Sequence, residues 1–271
     1  MKKIATIARN PINSPNMTAN DAAILERITA ELTERSVNVV SVGENEEIPN
    51  DTQLVCTMSR TESTLARLKK AEEQGIAVLN STNAVENCSR RCFMEILQAN
   101  AIAQPSFAVV NSAAELKKKY YPCWIKKSNG WSCHKDDICY AQTEHEATAA
   151  IEQMAAQGVK EYIQTQHYPG DVVKFYGIGD NFFHHCYPTE SKFGEEKING
   201  APAHYSFDEA ELKNIAQKAA KAIGLTIYGG DAIITPQGNI FIIDINDFPS
   251  FTAIRDIAAK EIATLIMSKI E

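Results

Sequence analysis

The chain has 271 residues, 44% hydrophobic and 23% charged, which is enough for a substantial core and excludes an intrinsically disordered polypeptide. A formal net charge of −7, with lysines and arginines scattered among carboxylates, leaves no basic face for nucleic acid. The apolar stretches are short and broken by charge, which argues against a membrane span or a secretory leader and places the chain in the cytoplasm.

Residues 3–8 read as a buried strand, followed by a polar loop through Ser14, Pro15 and Asn16. A helix capped by Thr18 comes next, with Ile24, Leu25, Ile28 and Leu32 on one face. Strands at 37–42, 53–58 and 76–79, with a helix over 61–74, continue an alternation that predicts a parallel, doubly wound sheet. A helix over about 84–98 follows. Cys88 and Cys92 lie four apart on it, but no Cys-x-x-Cys or histidine pair completes a metal site. The odd count of seven cysteines and their spacing fit free, buried thiols in a reducing compartment.

After Pro105 the rhythm changes. The segments 106–110, 124–127, 138–141 and 161–166 are extended, and 112–119 and 143–157 are helical, the latter opened by a Thr143/Glu146 capping box and closed by Gly158. A strand at 172–178 runs into Gly177-Ile178-Gly179-Asp180. That run lacks the third glycine and the helix of a dinucleotide fingerprint and reads as a hairpin turn. His184 and His185 are adjacent in an extended stretch and face opposite ways, which argues against a joint metal site. Ser206 and Glu209 form a second capping box, before a helix that Gly224 stops. Strands 229–235 and 240–246, joined by Pro236-Gln237-Gly238, form a hairpin, and an amphipathic helix over 254–270 ends the chain.

The hairpin carries the most chemistry. Asp244 and Asn246 are two apart on one strand, so they share a face roughly 7 Å apart. A two-residue turn of Gln237 and Gly238 sets Asp231 opposite Asp244, whereas a three-residue turn shifts the register by one. Two carboxylates and an amide on one face suit magnesium, which takes oxygen ligands. Arg9 and Arg60 each follow a strand of the parallel sheet, at the carboxyl ends where such sheets place ligands, and predict a small anionic acceptor. Asn10, Asn13 and Ser14 stand beside Arg9 to read its polar groups.

These residues resemble the ATP-grasp superfamily over most of the chain. The resemblance implies an α/β ATP-grasp fold in three parts: an N-terminal parallel α/β domain (1–104), a central α+β lid (105–166), and a C-terminal α+β catalytic part (167–271) with a metal-binding antiparallel hairpin. It assigns Asp231, Asp244 and Asn246 to two magnesium ions, with manganese as the alternative, and ATP as the nucleotide. Tyr121-Pro122-Cys123-Trp124-Ile125-Lys126 is similar to the strand whose lysine, here Lys126, meets the α and β phosphates. Ser128 and Gly130 lie in the small-residue loop that closes over them. Arg90, with Arg91 as runner-up, stands where the family has a lysine before the lid. Gln164, Thr165, Gln166 and His167 resemble the adenine hinge, Asp171 the ribose contact, and Lys174 the inward basic residue of the next strand.

Two reactions compete. Most ATP-grasp enzymes, among them glutathione synthetase and D-alanyl-D-alanine ligase, make an acyl phosphate that an amine, or in some cases a thiol, attacks. Yet Gly229 and Gly230 occupy the stretch where many family ligases carry an arginine. Asp244-Ile245-Asn246-Asp247-Phe248-Pro249 and Ser132-Cys133-His134 resemble inositol trisphosphate kinases instead. A hydroxyl acceptor would want a base, for which His134 or Asp247 could serve. A third reading is an inactive ATP-binding regulator. The chain is expected as a monomer or homodimer without nucleic-acid or membrane partners.

Overall fold

Three four-stranded sheets organise the chain, and the computed structural model describes residues 2–129, 135–188 and 195–270. In the first, β1 (Lys3–Ile7), β2 (Asn38–Ser41), β3 (Leu54–Thr57) and β4 (Ala77–Leu79) run parallel in the order β2-β1-β3-β4. β3 is buried at every position, as expected of a parallel sheet covered on both faces. Ile24, Ile28 and Leu32 of α1 (Thr18–Glu34) join Ile4 and Leu54 in one cluster with Ala259, Ile262 and Ile266 of α8 (Arg255–Ile270). Leu68 of α2 (Glu62–Glu73) packs with Ala5, Ile7 and Val55 in a separate cluster.

The second sheet is antiparallel: β5 (Phe107–Val110), β6 (Cys123–Lys127), β7 (Ile138–Ala141) and β8 (Tyr162–Gln166), in the order β5-β8-β6-β7. Ala147, Ile151 and Met154 of α5 (Glu144–Ala156) cover it. The third, also antiparallel, comprises β9 (Asp171–Ile178), β10 (Phe182–Cys186), β11 (Ile227–Ile234) and β12 (Ile240–Asp247), in the order β10-β9-β11-β12. One of its faces buries Val173, Phe175, Tyr228 and Ala232 with Leu212, Ala216 and Ala219 of α7 (Glu209–Ile223). A short α6 (Glu195–Asn199) precedes α7. Among the described residues, no helix is long and apolar enough to cross a membrane.

Several local expectations need correction. The helix over 84–98 is two, α3 (Thr82–Asn87) and α4 (Arg90–Ala99), because Ser89 turns extended between them (φ −59, ψ 142). The segment 112–119 forms two 3-10 turns, Ala113–Glu115 and Lys118–Tyr120. Thr18 does not cap α1: Met17 holds that position, and the Thr18 hydroxyl donates back to the Ser14 carbonyl at 3.4 Å. Asp208, not Ser206, caps α7, accepting from Ala210 and Glu211 N–H at 2.8 and 3.2 Å. A carboxylate there meets the helix dipole with full charge, which a serine lacks. Thr143 does cap α5, but the Glu146 carboxylate returns to the N–H of Gln142 rather than of Thr143.

Candidate active site

The hairpin reaches the expected pairing by an unexpected route. Thr235 N–H donates to the Asn239 carbonyl and Gly238 lies at φ +81, so the turn holds three residues, Pro236, Gln237 and Gly238. Alone, that turn would set Asp231 opposite Ile243. The register shifts between Asp231 and Ala232, leaving Ile243 as a bulge, and from there to the strand end Asp231 pairs with Asp244 and Gly229 with Asn246.

Pairing across the sheet then builds two rows on one face. Cys186, Lys174, Asp231 and Asp244 form the first, and His184, Tyr176, Gly229 and Asn246 the second. Lys174 Nζ lies 2.8 Å from Asp231 Oδ1, both side chains partly exposed. Asn246 Nδ2 donates to Asp244 Oδ2 at 2.7 Å, which orients the amide and leaves its oxygen for another partner. Among the described residues no three His, Cys, Asp or Glu side chains converge as a metal site. The third donor here is the Asn246 amide, and two carboxylates with an amide oxygen are a donor set that fits magnesium. A Cβ on Gly230 would fall 2.3 Å from the Asp244 carbonyl, and one on Gly229 2.8 Å from Pro249 Cγ. Neither position can house a side chain without displacing β12 or Pro249.

On β6, Lys126 is buried, with Nζ 5.9 Å from the ring centroid of Trp124. Trp124, Tyr140 and His167 pack as an aromatic triangle, and Trp124 Nε1 donates to His167 Nδ1 at 3.1 Å, which leaves a neutral His167 protonated on Nε2. At the end of β6, Ser128 Oγ donates to Glu161 at 2.6 Å, and the other Glu161 oxygen takes Arg91 Nη1 at 2.7 Å. Arg91 also holds Glu95, while Arg90, buried, donates to the Lys127 carbonyl at 2.9 Å. Both arginines are thus stitched to the stem of the loop that follows. Gly130 and His134 lie outside the described residues.

Hydrogen bonds and ion pairs within the chain engage several groups expected at the nucleotide and the acceptor. The fully buried Gln164 amide accepts from Lys117 N–H and donates to Lys117 C=O, so it braces the lid from within. Thr165 beside it is buried. The N–H groups of Gln166 and His167 donate to the Ser106 and Pro122 carbonyls. Asp171, buried, accepts from Ala203 and Tyr205 N–H at 2.7 and 2.9 Å and anchors that segment. Arg9 and Arg60 do not face an open acceptor site, because both are buried against Asp247. Burial, reinforced by Arg60, lowers the Arg9 guanidinium to about 10, still protonated at neutral pH. Asp247 is therefore a poor general base, its oxygens being engaged by two guanidiniums.

Other groups at the site went unrecognised in the sequence. Glu44 accepts from Asn10, Ser59 and Thr61. Burial alone would raise its carboxyl, but these bonds outweigh it and hold the group below its usual value. It lies in the polar run Gly43-Glu44-Asn45-Glu46-Glu47, where nothing singles out one carboxylate. Tyr176 carried a signal, its spacing of two from Lys174. Cys186 needed the strand pairing, and Glu161 the fold that brings Ser128 and Arg91 to it. Cys88 is a buried free thiol, as expected, and burial pushes it well up.

A family model described as the RimK-like ATP-grasp domain matches residues 88–270, more than half of the chain. Among solved structures the chain is similar to D-alanine–D-alanine ligase from Bacillus anthracis complexed with ATP, at 12% identity over 100% of this chain and 98% of that one, TM-score 0.73. It is similar to the ATP-grasp ligase PsnB complexed with minimal precursor, Mg and ADP, at 16% identity, 99% and 97% coverage and TM-score 0.70. It is also similar to a RimK domain ATP-grasp protein from Sphaerobacter thermophilus, at 16% identity, 98% and 99% coverage and TM-score 0.68. No curated protein matches. At these identities the structural likeness establishes the fold.

Proposed function

The chain belongs to the RimK-like ATP-grasp family, and from that premise we propose that it is a magnesium-ATP-dependent ligase acting on a small anionic acceptor. A carboxylate oxygen of the acceptor takes the γ-phosphoryl group of ATP, releasing ADP. An amine or thiol then attacks the acyl carbon of the mixed anhydride, phosphate leaves, and the nucleophile's proton passes to solvent. The observation that carries this reading is the row of Lys174, Asp231 and Asp244 with Asn246 beside it.

In this reading Asp231, Asp244 and Asn246 hold two magnesium ions, or manganese in their place, and the ions supply charge neutralisation on the phosphate oxygens. Lys126 and Lys174 add cationic charge from the lid and the sheet, and Arg90 and Arg91 brace Lys127 and Glu161 beside the end of β6. A carboxylate acceptor needs no general base, which agrees with the engagement of Asp247 by two arginines. The solved ATP-grasp ligases named above, one holding Mg and ADP, support the same reaction class.

One observation favours the kinase alternative. The arginine many family ligases use has no room at Gly229 or Gly230, so an acyl transfer here would have to draw charge stabilisation from elsewhere, with Lys174 a candidate on the face of Gly229. Incubation with magnesium, γ-labelled ATP and pools of amino acids or inositol phosphates separates the readings. Free phosphate that depends on an amine supports the ligase, and label retained on the acceptor establishes the kinase. Nucleotide binding without turnover on any pool would leave a regulator.

A further inference from the structure

Asp247 ends β12 one residue after Asn246, and there the N-terminal sheet grips the C-terminal one. Arg9 follows β1 and Arg60 follows β3, neighbouring strands paired through Ile7 and Thr57. Arg60 Nε lies 2.7 Å from Asp247 Oδ1 and its Nη2 2.6 Å from the same oxygen. Arg9 Nη2 donates to the carbonyls of Asp247 and Phe248 at 3.1 and 3.0 Å, with the second carboxylate oxygen at 3.5 Å. Arg9 Nε donates to the Met58 carbonyl at 3.1 Å, tying the two arginine-bearing loops together. The side chains are 5%, 6% and 1% exposed for Arg9, Arg60 and Asp247.

β12 is an edge strand, so no further strand supplies donors to its outer carbonyls, and the guanidiniums supply them at its end. The chain then leaves the sheet through Phe248 at φ +42, with Pro249 seated over Gly229, the partner of Asn246. We propose that Arg9 and Arg60 are positioning residues: by holding Asp247 and the carbonyls beside it they fix where Asn246 stands, so the ion site depends on the N-terminal domain. The inference rests on the reading of Asn246 as an ion ligand. Forked guanidiniums suit this geometry, because a lysine's three donors sit on one nitrogen and lack the separated donors by which Arg9 reaches Met58 through Nε and Asp247 and Phe248 through Nη2.

Manganese with ADP, bound to the full chain and followed by the EPR signal of free Mn2+, tests this. In Arg60→Lys and Arg9→Lys the half-saturating manganese concentration should rise about tenfold or more, the usual consequence of losing a partner that orients a metal ligand. ADP affinity in EDTA should be unchanged. Leu68→Ala, which loosens a cluster that holds neither Met58 nor Phe248, should leave manganese affinity as in the native chain. If Arg60→Lys does not fold, Arg9→Lys carries the test, because it leaves the Arg60–Asp247 pair in place. Folded lysine variants that bind manganese like the native chain would reduce the clasp to domain glue and overturn the proposal. If the native chain itself takes up no manganese that Asp244→Ala abolishes, the ion-site reading fails, and the positioning role with it.

Discussion

At Asp21, burial and ion pairing pull in opposite directions. Its carboxylate is buried, one oxygen lacks a hydrogen-bond partner, and Arg9 Nη1 stands 3.8 Å away. Burial prevails over the arginine and raises the carboxyl above its ordinary 3.8. In the window between 3.8 and the raised value the folded chain binds more protons than the unfolded one, so stability falls as pH rises through that window. At neutral pH the full penalty is present. Asp21→Asn should therefore raise the melting temperature at pH 7, and calorimetry should show the gain shrinking as the pH is lowered toward 4. An equal gain at every pH would trace it to packing instead. Lys174 presents the opposite balance, since its pair with Asp231 is one-third exposed on the lysine side. A pair of that kind contributes at most ~1 kcal/mol to stability, whereas a cation placed against developing phosphoryl charge is worth on the order of 10²–10³ in kcat. Lys174→Met should leave thermal unfolding nearly unchanged and depress turnover by that factor, measured as phosphate release.

At the scale of the element, the β11–β12 hairpin shows what pattern can and cannot reveal. The alternation that puts Asp244 and Asn246 on one face is local and was legible. The pairing of Asp231 with Asp244 depended on a three-residue turn and a bulge that cancel, neither of which has a residue signature strong enough to read. The break between α3 and α4 was hidden for a related reason, because Ser89 caps with its backbone angles and makes no side-chain capping bond. Arg9 and Arg60 were legible as strand-end residues. Their partner, 187 positions from Arg60, was not. The acceptors of the Gln166 and His167 N–H groups, at Ser106 and Pro122, were hidden likewise, since they belong to other segments. Within the hairpin, Gly230 is the position where backbone approaches backbone, with the Asp244 carbonyl where a Cβ would stand. Gly230→Ala forces β11 and β12 apart at the metal row and should cost about 1–3 kcal/mol, the usual range for overpacking. It should also weaken manganese-ADP binding. Gly75→Ala, which has open space but a φ of +88, should lose stability without touching ion binding. If both variants bind manganese equally, the strand approach at Gly230 does not shape the site.

Across the whole molecule, the site is assembled from parts that share little covalent neighbourhood. Lys126 comes from the lid sheet and Lys174 and Asp231 from the C-terminal sheet, and the N-terminal sheet reaches the end of β12 through Arg9 and Arg60. A ligand that contacts lid and sheet together binds the folded chain and has nothing equivalent to bind in the unfolded one. Its binding free energy therefore appears as stability. At a free concentration near 100 times Kd, a non-hydrolysable ATP analogue with magnesium should add about 2.7 kcal/mol, and at roughly 2–4 °C per kcal/mol for a chain of this size the melting temperature should climb by about 5–11 °C. The two halves of the site are separable in this measurement. Asp244→Ala should keep part of the shift, because the lid still meets the nucleotide, and the part it keeps should equal the native shift in EDTA. Lys126→Ala should lower the shift with and without magnesium alike, since its expected contact is with phosphate rather than with the ion. A native shift that is the same in EDTA as in magnesium would mean that the Asp231, Asp244 and Asn246 cluster takes no part in holding the nucleotide, however well its oxygens are arranged for an ion.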